Sequence, residues 1–463
     1  MSETSALRTR WLWVVVLLAT AAVVTAGSTP AGLDSPALAD AENDPGLVHT
    51  ELESSIPADG DIVRSGLEST TLVFSGAVES KLTSVRWIGP AGDTVSLRVS
   101  GDPDQPHVIT TEAPPGENGP QKLVWRSVSI DGHQIAGEIL FTVAAPEFVA
   151  PAPAEIVAAP DLPTATVQPG QEVSGSVVTH EFPTSRIVAR GLGMFCLLGF
   201  AGLLWFGMGT TILDEPQPHR LASILGLGAT LLLSVDLLLW MSSLRLPGVS
   251  LSETFATVLG TRSGAVEVWR AGLALSAFLL FAGTGLVRLG SVLAIGAVVI
   301  GALGGHQAAI QPMLSLPANG LHLGAASVWT GGVLLLAVWP IRTGDTESAT
   351  GWTFPRIVRR VSSAALLASV VILVTAVVQD LLYLPSLGAI FNSDYGKLLL
   401  AKSTGFAALV SFGAYNRLRL IPALEASEAG ARPLRKSVRL EVIVVIVIVL
   451  VAVVLSQVPP PLE

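Results

Sequence analysis

The stretch WRSVSIDGHQIAGEILFTV, Trp125 to Val143, decides the fold of the first third of this chain. Two runs rich in β-branched and aromatic residues flank Asp131-Gly132-His133. Working outward, TTLVFSGAV, SVRWIG, TVSLRV and KLVWRSVSI show the same short alternation, broken by Gly, Pro and Asp. Several short strands with turn signals between them predict a β-sandwich or barrel of the Greek-key, immunoglobulin-like kind over residues 49–143. No apolar run in that segment is long enough to cross a bilayer.

The same stretch carries the first candidate site. In an extended strand residues i and i+2 point to one side, so Asp131 and His133 can meet one ion, with Gly132 letting the backbone turn closely. His49, in LVHTELESSIPADGDIV, would come from the first strand. Two imidazoles and a carboxylate suit Cu(II), which favours nitrogen and oxygen donors in a flattened geometry. By itself the tripeptide is equally what a simple turn looks like. His107, in DPDQPHV, is expected in an exposed loop.

The remainder is a different kind of polymer. Hydrophobic residues make up 50% of the 463 and charged residues only 14%, which marks an integral membrane protein. Apolar runs fall near 187–211, 220–242, 264–286, 289–309, 319–340, 357–380, 396–416 and 438–457. Each approaches the ~20 residues a helix needs to cross hydrocarbon, which predicts a polytopic α-helical bundle of about eight spans over 186–460. SETFATVLG, 252–260, is expected to be a short interfacial or re-entrant helix. Nucleic-acid binding is excluded by the lack of a basic soluble domain. Cys196, the only cysteine, excludes an intrachain disulfide and a thiolate cluster.

The N-terminus has the pattern of a secretory signal. Arg8 and Arg10 precede an apolar run to Ala26, and Val24-Thr25-Ala26 offers a cleavage site. Residues 1–26 are thus a signal peptide or an uncleaved anchor, and 27–48 an acidic leader. Residues 144–185, with seven prolines, form an extended tether. Arg220, Arg288, Arg342, Arg356, Arg359 and Arg360 fall in alternate loops of the bundle, as do Arg417, Arg419, Arg432, Arg435, Lys436 and Arg439. Those loops are expected in the cytoplasm and the β-domain outside, in a multi-pass protein of the cell membrane.

The spans hold a second constellation. His306 in GGHQAAI lies near the outer end of the fourth, and His322 in NGLHLGAASVWTGG near the outer start of the fifth, with Met313 in the loop between. Ionisable groups inside a membrane are costly unless partnered, so functional roles are enriched there. The three side chains could converge on copper, or the histidines could simply join helices. Asp236 would help hold a cation by charge. Glu267 and Arg270 form an i, i+3 pair, and with Lys402 are expected to be structural. Glu441 and His219 are placed near the cytoplasmic face, in reach of water.

The segment 49–143 resembles the CopC copper-binding family. The matching text is His49, then SSIPADGDIV, LVFSGAV, Trp125 through His133, Gly137 and Phe141-Thr142-Val143. The resemblance implies a Cu(II) site of His49, Asp131 and His133, which in that family includes the amino group of a histidine at the mature N-terminus. Neither a cut after Ala26 nor one at the second candidate, Ala37-Leu38-Ala39, leaves His49 as residue one. The thioether-rich Cu(I) site of some relatives is absent, since no methionine lies between Met1 and Met194. The bundle resembles the CopD copper-resistance family through His306, His322, Trp329-Thr330-Gly331-Gly332, Tyr395-Gly396-Lys397-Leu398-Leu399-Leu400-Ala401-Lys402 and Pro459-Pro460. A CopC-like half followed by a CopD-like half resembles fused copper-uptake proteins. The expectation is a non-enzymatic protein with copper ion and the lipid bilayer as its partners, capturing Cu(II) outside and passing copper to the membrane half for import. Sequestration without transport, and electron transfer with His306 and His322 as haem ligands, are the alternatives.

Overall fold

The computed structural model describes residues 50–144 and 184–458, apart from 65–66, 113–116, 130–131, 133, 246–249, 305–311, 342–350, 385, 387 and 428–429. The chain divides into a β unit and a helical unit.

The β unit is built from two sheets. One orders β1 (Leu52–Ile56), β3 (Ser69–Phe74), β7 (Gln105–Glu112) and β6 (Val99–Asp102). The other orders β2 (Ile62–Arg64), β9 (Gln134–Ala144), β8 (Gly119–Val128), β4 (Ser84–Ile88) and β5 (Thr94–Leu97). The chain passes repeatedly between the sheets, and the pairings among the described residues are antiparallel except β2 on β9. Period-2 alternation sends Leu72 and Phe74 from one sheet, and Trp87, Leu123, Trp125, Ile139 and Phe141 from the other, into one core. Phe74 meets Trp125 edge-on with centroids 5.3 Å apart. Gly137 is required beside that ring, since a Cβ there would lie 2.6 Å from Trp125. His107 belongs to β7, not to a loop.

Among the described residues, the helical unit contains seven helices long and apolar enough to cross a membrane, plus a shorter apolar one. In chain order the elements are α1 (Thr184–Gly207), α2 (Pro216–Leu244), α3 (Leu251–Leu259), α4 (Arg262–Thr284), α5 (Val287–Ile300), α6 (Pro312–Val338), α7 (Phe354–Tyr383), α8 (Asp394–Tyr415) and α9 (Ala431–Leu455). These agree with the eight apolar runs, α5 being the short one. The short helix expected over 252–260 is α3, opened by a capping box in which the Ser250 hydroxyl accepts from the Glu253 N–H and the Glu253 carboxylate accepts from the Ser250 N–H. Those bonds hold the exposed Glu253 carboxyl below its usual range.

Helix α1 is hydrophobic all round, as a central helix must be. It packs against α2, α5, α6 and α9 and buries Leu197, Phe200, Leu203 and Phe206 completely. Gly202 and Gly331 let α1 and α6 meet backbone to backbone: a Cβ on Gly202 would lie 2.0 Å from the Ser327 carbonyl oxygen. Both glycines are near the ends of their helices, so α1 and α6 run in the same direction. The α6 C-terminus, α7 N-terminus, α8 C-terminus and α9 N-terminus gather at one end, joined by Arg435 on the Trp339 carbonyl, Arg417 on Ser362 and Arg359 on Glu425. With Arg432, Arg435, Lys436 and Arg439 at the start of α9, this is the basic end of the bundle.

Candidate functional site

In the β unit, the connection between β8 and β9 contains the Asp-Gly-His tripeptide. Asp131 and His133, like His49, lie outside the described residues. Gly132 has φ +90°, and its N–H donates to the Ser129 carbonyl. Since β8 pairs with β9 up to Val128–Gln134, a left-handed glycine stands in the connection of that hairpin, between the two candidates in sequence.

The surroundings converge on one loop. Residues 75–79, after β3, touch Thr50 through Gly76 and bridge Ser129 through Val78. The Glu79 N–H donates to the Val128 carbonyl at 2.7 Å. Thr50 follows His49 in sequence and Ser129 lies two residues before Asp131, so chain neighbours of the candidates border a single loop. That loop also carries a carboxylate that sequence reasoning missed. Burial pushes the Glu79 carboxyl above its ordinary value, with Lys81 pulling it down more weakly. Its placement depends on a bridge between Val78 and Ser129 that no local pattern announces.

In the helical unit, α6 and α7 bring buried polar groups together at the end opposite the basic one. Ser315, Asn319 and His322 follow i, i+4, i+7 spacing on α6, and Thr375, Gln379 and Tyr383 follow i, i+4, i+8 on α7. Apart from half-buried His322, all are buried. Lys402 of α8 is within electrostatic range of His322 and Asp380. His322 Nδ1 lies 3.0 Å from Thr375 Oγ1, and that hydroxyl donates to the Val371 carbonyl at 2.7 Å. A hydroxyl whose proton is so used accepts from its other neighbour, which places the imidazole proton on Nδ1. Nε2 is left with its lone pair, the arrangement of a metal-ligating histidine whose other nitrogen is held.

Met313 is not in a loop. It occupies the first turn of α6 and is 79% exposed. Nine residues separate it from His322, two and a half turns, so the two project from opposite sides of the helix. The structure does not bring them together, and His306 lies outside the described residues. Among the described residues no group of three His, Cys, Asp or Glu side chains is clustered for a metal.

Asp236 does not stand ready for a cation. Its two carboxylate oxygens accept from Arg186 Nε at 3.1 Å and Arg190 Nε at 2.9 Å. Arg190 also reaches Glu267 at 2.6 Å, and Glu267 pairs with Arg270 as its i, i+3 spacing predicts. This network ties α1, α2 and α4 together. Sequence reading missed Arg186 and Arg190, which stand four apart at the start of α1 and far from Asp236 along the chain. Glu441, expected in reach of water, is 4% exposed on α9. Its carboxylate accepts from Asn416 Nδ2 at 2.5 Å.

Comparison with known proteins assigns both halves. The family model described as "CopC domain" matches residues 52–144, and the one described as "Copper resistance protein D" (CopD) matches residues 355–455. Copper transport protein CutJ of Bacillus subtilis (strain 168) is 23% identical over 398 residues, covering 80% of this chain and 68% of its own. Copper resistance protein C of Pseudomonas syringae pv. tomato is 33% identical over 102 residues, covering 20% of this chain and 80% of its own. The chain belongs to the CopC–CopD family.

Among solved structures, CopC from Methylosinus trichosporium OB3b is 29% identical and covers 22% of this chain and all of its own, with a TM-score of 0.21. The CopC match takes in β1 to β9. The CopD match takes in α7, α8 and α9, and with them Thr375, Gln379, Asp380, Lys402, Asn416 and Glu441. His322 precedes it on α6. The chain is thus a multi-pass membrane protein of a copper resistance and transport family.

Proposed function

We propose that this protein captures Cu(II) on the outer side of the membrane and passes copper to the bundle for import. The observation that carries the reading is the union, on one chain, of a CopC-matching β-domain with a CopD-matching bundle. A relative named for copper transport matches 80% of the chain. His49, Asp131 and His133 are the ligands in this reading. It is supported by the loop 75–79, which borders chain neighbours of these candidates. His322, presenting Nε2, and His306 form the entry site in the membrane. Residues 1–26 direct the chain outward, 27–48 form a leader, and the tether 144–185 extends ~3.1 Å per residue, enough to carry the β-domain to the bundle surface. The arginines of alternate loops support a cytoplasmic position for the basic end.

Three measurements test this. A Cu(II) titration of residues 49–143 followed by EPR gives one stoichiometric site, lost in His133→Ala. Equal binding by the variant refutes the ligand set. Cells carrying the intact protein accumulate copper, and His306→Ala/His322→Ala lowers accumulation at normal abundance. Cu(II) binding with no accumulation by the intact protein favours sequestration instead. Absence of a haem absorption band in the purified protein disposes of the electron-transfer alternative.

A further inference from the structure

Glu441 has a setting that the copper reading does not use. It lies on α9 where the basic turns, with Arg432, Arg435, Lys436 and Arg439, give way to the apolar run Val442–Leu455. Its partner Asn416 opens a π-helical turn, Asn416–Leu420, at the end of α8. Such turns are rare and recur at functional sites. Asn416 is 14 residues beyond Lys402, about 21 Å along the axis, so this pair is well separated from the His322 face.

The hydrogen-bond inventory is incomplete in a particular way. Asn416 is 7% exposed, and its Nδ2 donates to Glu441 while its Oδ1 has no partner among the described residues. Ser437, one turn before Glu441 on α9, is 8% exposed, and its Oγ also has no partner among them. A buried carboxylate with a single neutral donor is costly, and so is a buried carbonyl without a donor. One proton removes both costs. A protonated carboxyl facing a primary amide accepts from the amide N–H through one oxygen and donates to the amide carbonyl through the other. Turning the amide over does not change the need, because its oxygen then faces Glu441 Oε1 and a proton is required between them.

The charged groups of the packed elements are engaged elsewhere. Arg435 contacts the Trp339 carbonyl and the Phe354 ring, Arg417 contacts Ser362, and Glu425 pairs with Arg359. Arg419, Arg432, Lys436 and Arg439 are not part of the pair's buried surroundings, Arg419, Arg432 and Arg439 being exposed, as is Tyr415. On α1, Arg186 and Arg190 hold Asp236 at the far end, and Cys196 faces Gly228 of α2. On α6, His322 holds Thr375, and on α8 Lys397 pairs with Asp394 while Lys402 lies near Asp380 and Tyr395 near Tyr383.

We propose that Glu441 and Asn416 form a proton-binding site at the basic end of the bundle. Glu441 holds a proton as a neutral acid paired with the Asn416 amide. When that end opens to water, it releases the proton to a water molecule and becomes a carboxylate. Coupling of this proton to copper movement rests on the transport reading above; the protonation itself does not.

The test is infrared spectroscopy of the full-length protein in lipid nanodiscs at neutral pH, with deuterium exchange. The expected result is a protonated-carboxyl C=O band that shifts in deuterium oxide, disappears in Glu441→Gln and moves in Asn416→Leu. Absence of a band assignable to Glu441 overturns the proposal. A stability readout stands beside it. The amide introduced by Glu441→Gln can accept from Asn416 Nδ2 and donate to Oδ1, so this variant should melt at or above the native temperature, with Glu441→Ala below it. A clear fall in melting temperature for Glu441→Gln also overturns the proposal. In proteoliposomes, copper uptake by the native protein should respond to an imposed pH gradient and lose that response in Glu441→Gln. An unchanged response in the variant overturns the coupling, whereas no uptake by native protein refutes only the transport reading.

Discussion

At the scale of single residues, Thr375 decides which nitrogen of His322 is open to a metal. Its hydroxyl proton is committed to the Val371 carbonyl, so it can only accept from the ring. Thr375→Val removes the hydroxyl acceptor and leaves the ring only the Ile372 backbone carbonyl, which should cost about 0.5–1.5 kcal/mol. It should also lower copper accumulation, and Thr375→Ser should restore both accumulation and melting temperature. Glu79 gives a pH-dependent expectation. Its folded carboxyl titrates above the ordinary value of 4.5, so its contribution to stability is fully present below that value and is lost as pH rises through the folded one. Denaturant titrations of the β-domain should show Glu79→Gln losing less stability than native between acidic and neutral pH, and the variant should be the more stable of the two at neutral pH. Parallel stability profiles would contradict the burial argument. His322 and the Asp-Gly-His tripeptide were legible as sequence, because their residue types limit what they can bind. Glu79 was not, because a lone glutamate after a strand has no periodicity to mark it.

At the scale of elements, two contacts organise the bundle. The Gly202–Gly331 crossing has no room for a side chain, so Gly331→Leu must push α1 and α6 apart. Overpacking of this kind costs about 1–3 kcal/mol or more. The expected outcome is reduced abundance and a lower melting temperature in detergent, with Gly332→Ala the milder change because its neighbours are side chains, Val361 and Phe206. The second contact is the charge network of α1, α2 and α4. Asp236→Asn leaves Arg186 and Arg190 buried without their shared carboxylate, and losing one partner of a buried pair costs about 3–5 kcal/mol. Copper accumulation should then fall in proportion to the amount of folded protein. A fall at full abundance would instead return Asp236 to a direct role with the cation. The helices themselves were visible as apolar runs, and so was the Glu267–Arg270 pair, since local spacing defines both. The partners of Asp236 were hidden, because Arg186 and Arg190 lie about fifty residues away and meet it only once three helices have packed.

At the scale of the whole molecule, the chain is two independent solutions to burying apolar surface. The sandwich buries Phe74, Trp87 and Trp125 between its sheets, whereas the bundle buries α1 and turns much of α7 and α8 outward, with Leu366, Val370, Leu373 and Val374 exposed. Expressed alone, residues 49–143 should therefore give a folded, β-rich circular dichroism spectrum with one cooperative melt. A disordered or helical spectrum would show that the sandwich needs the bundle. Composition, strand alternation and span length follow from local chemistry and recur along the chain, so the sequence by itself determined the two-part architecture, the membrane class and the family. It also marked the histidines and the tripeptide. Tertiary structure alone decided that the tripeptide sits in a hairpin connection bordered by the loop 75–79, that Met313 points away from His322, and that Asp236 is already neutralised. It also decided that Glu441 is buried against Asn416. Each of those depends on which distant segments share a face, and long-range packing sets that where no neighbouring residue can.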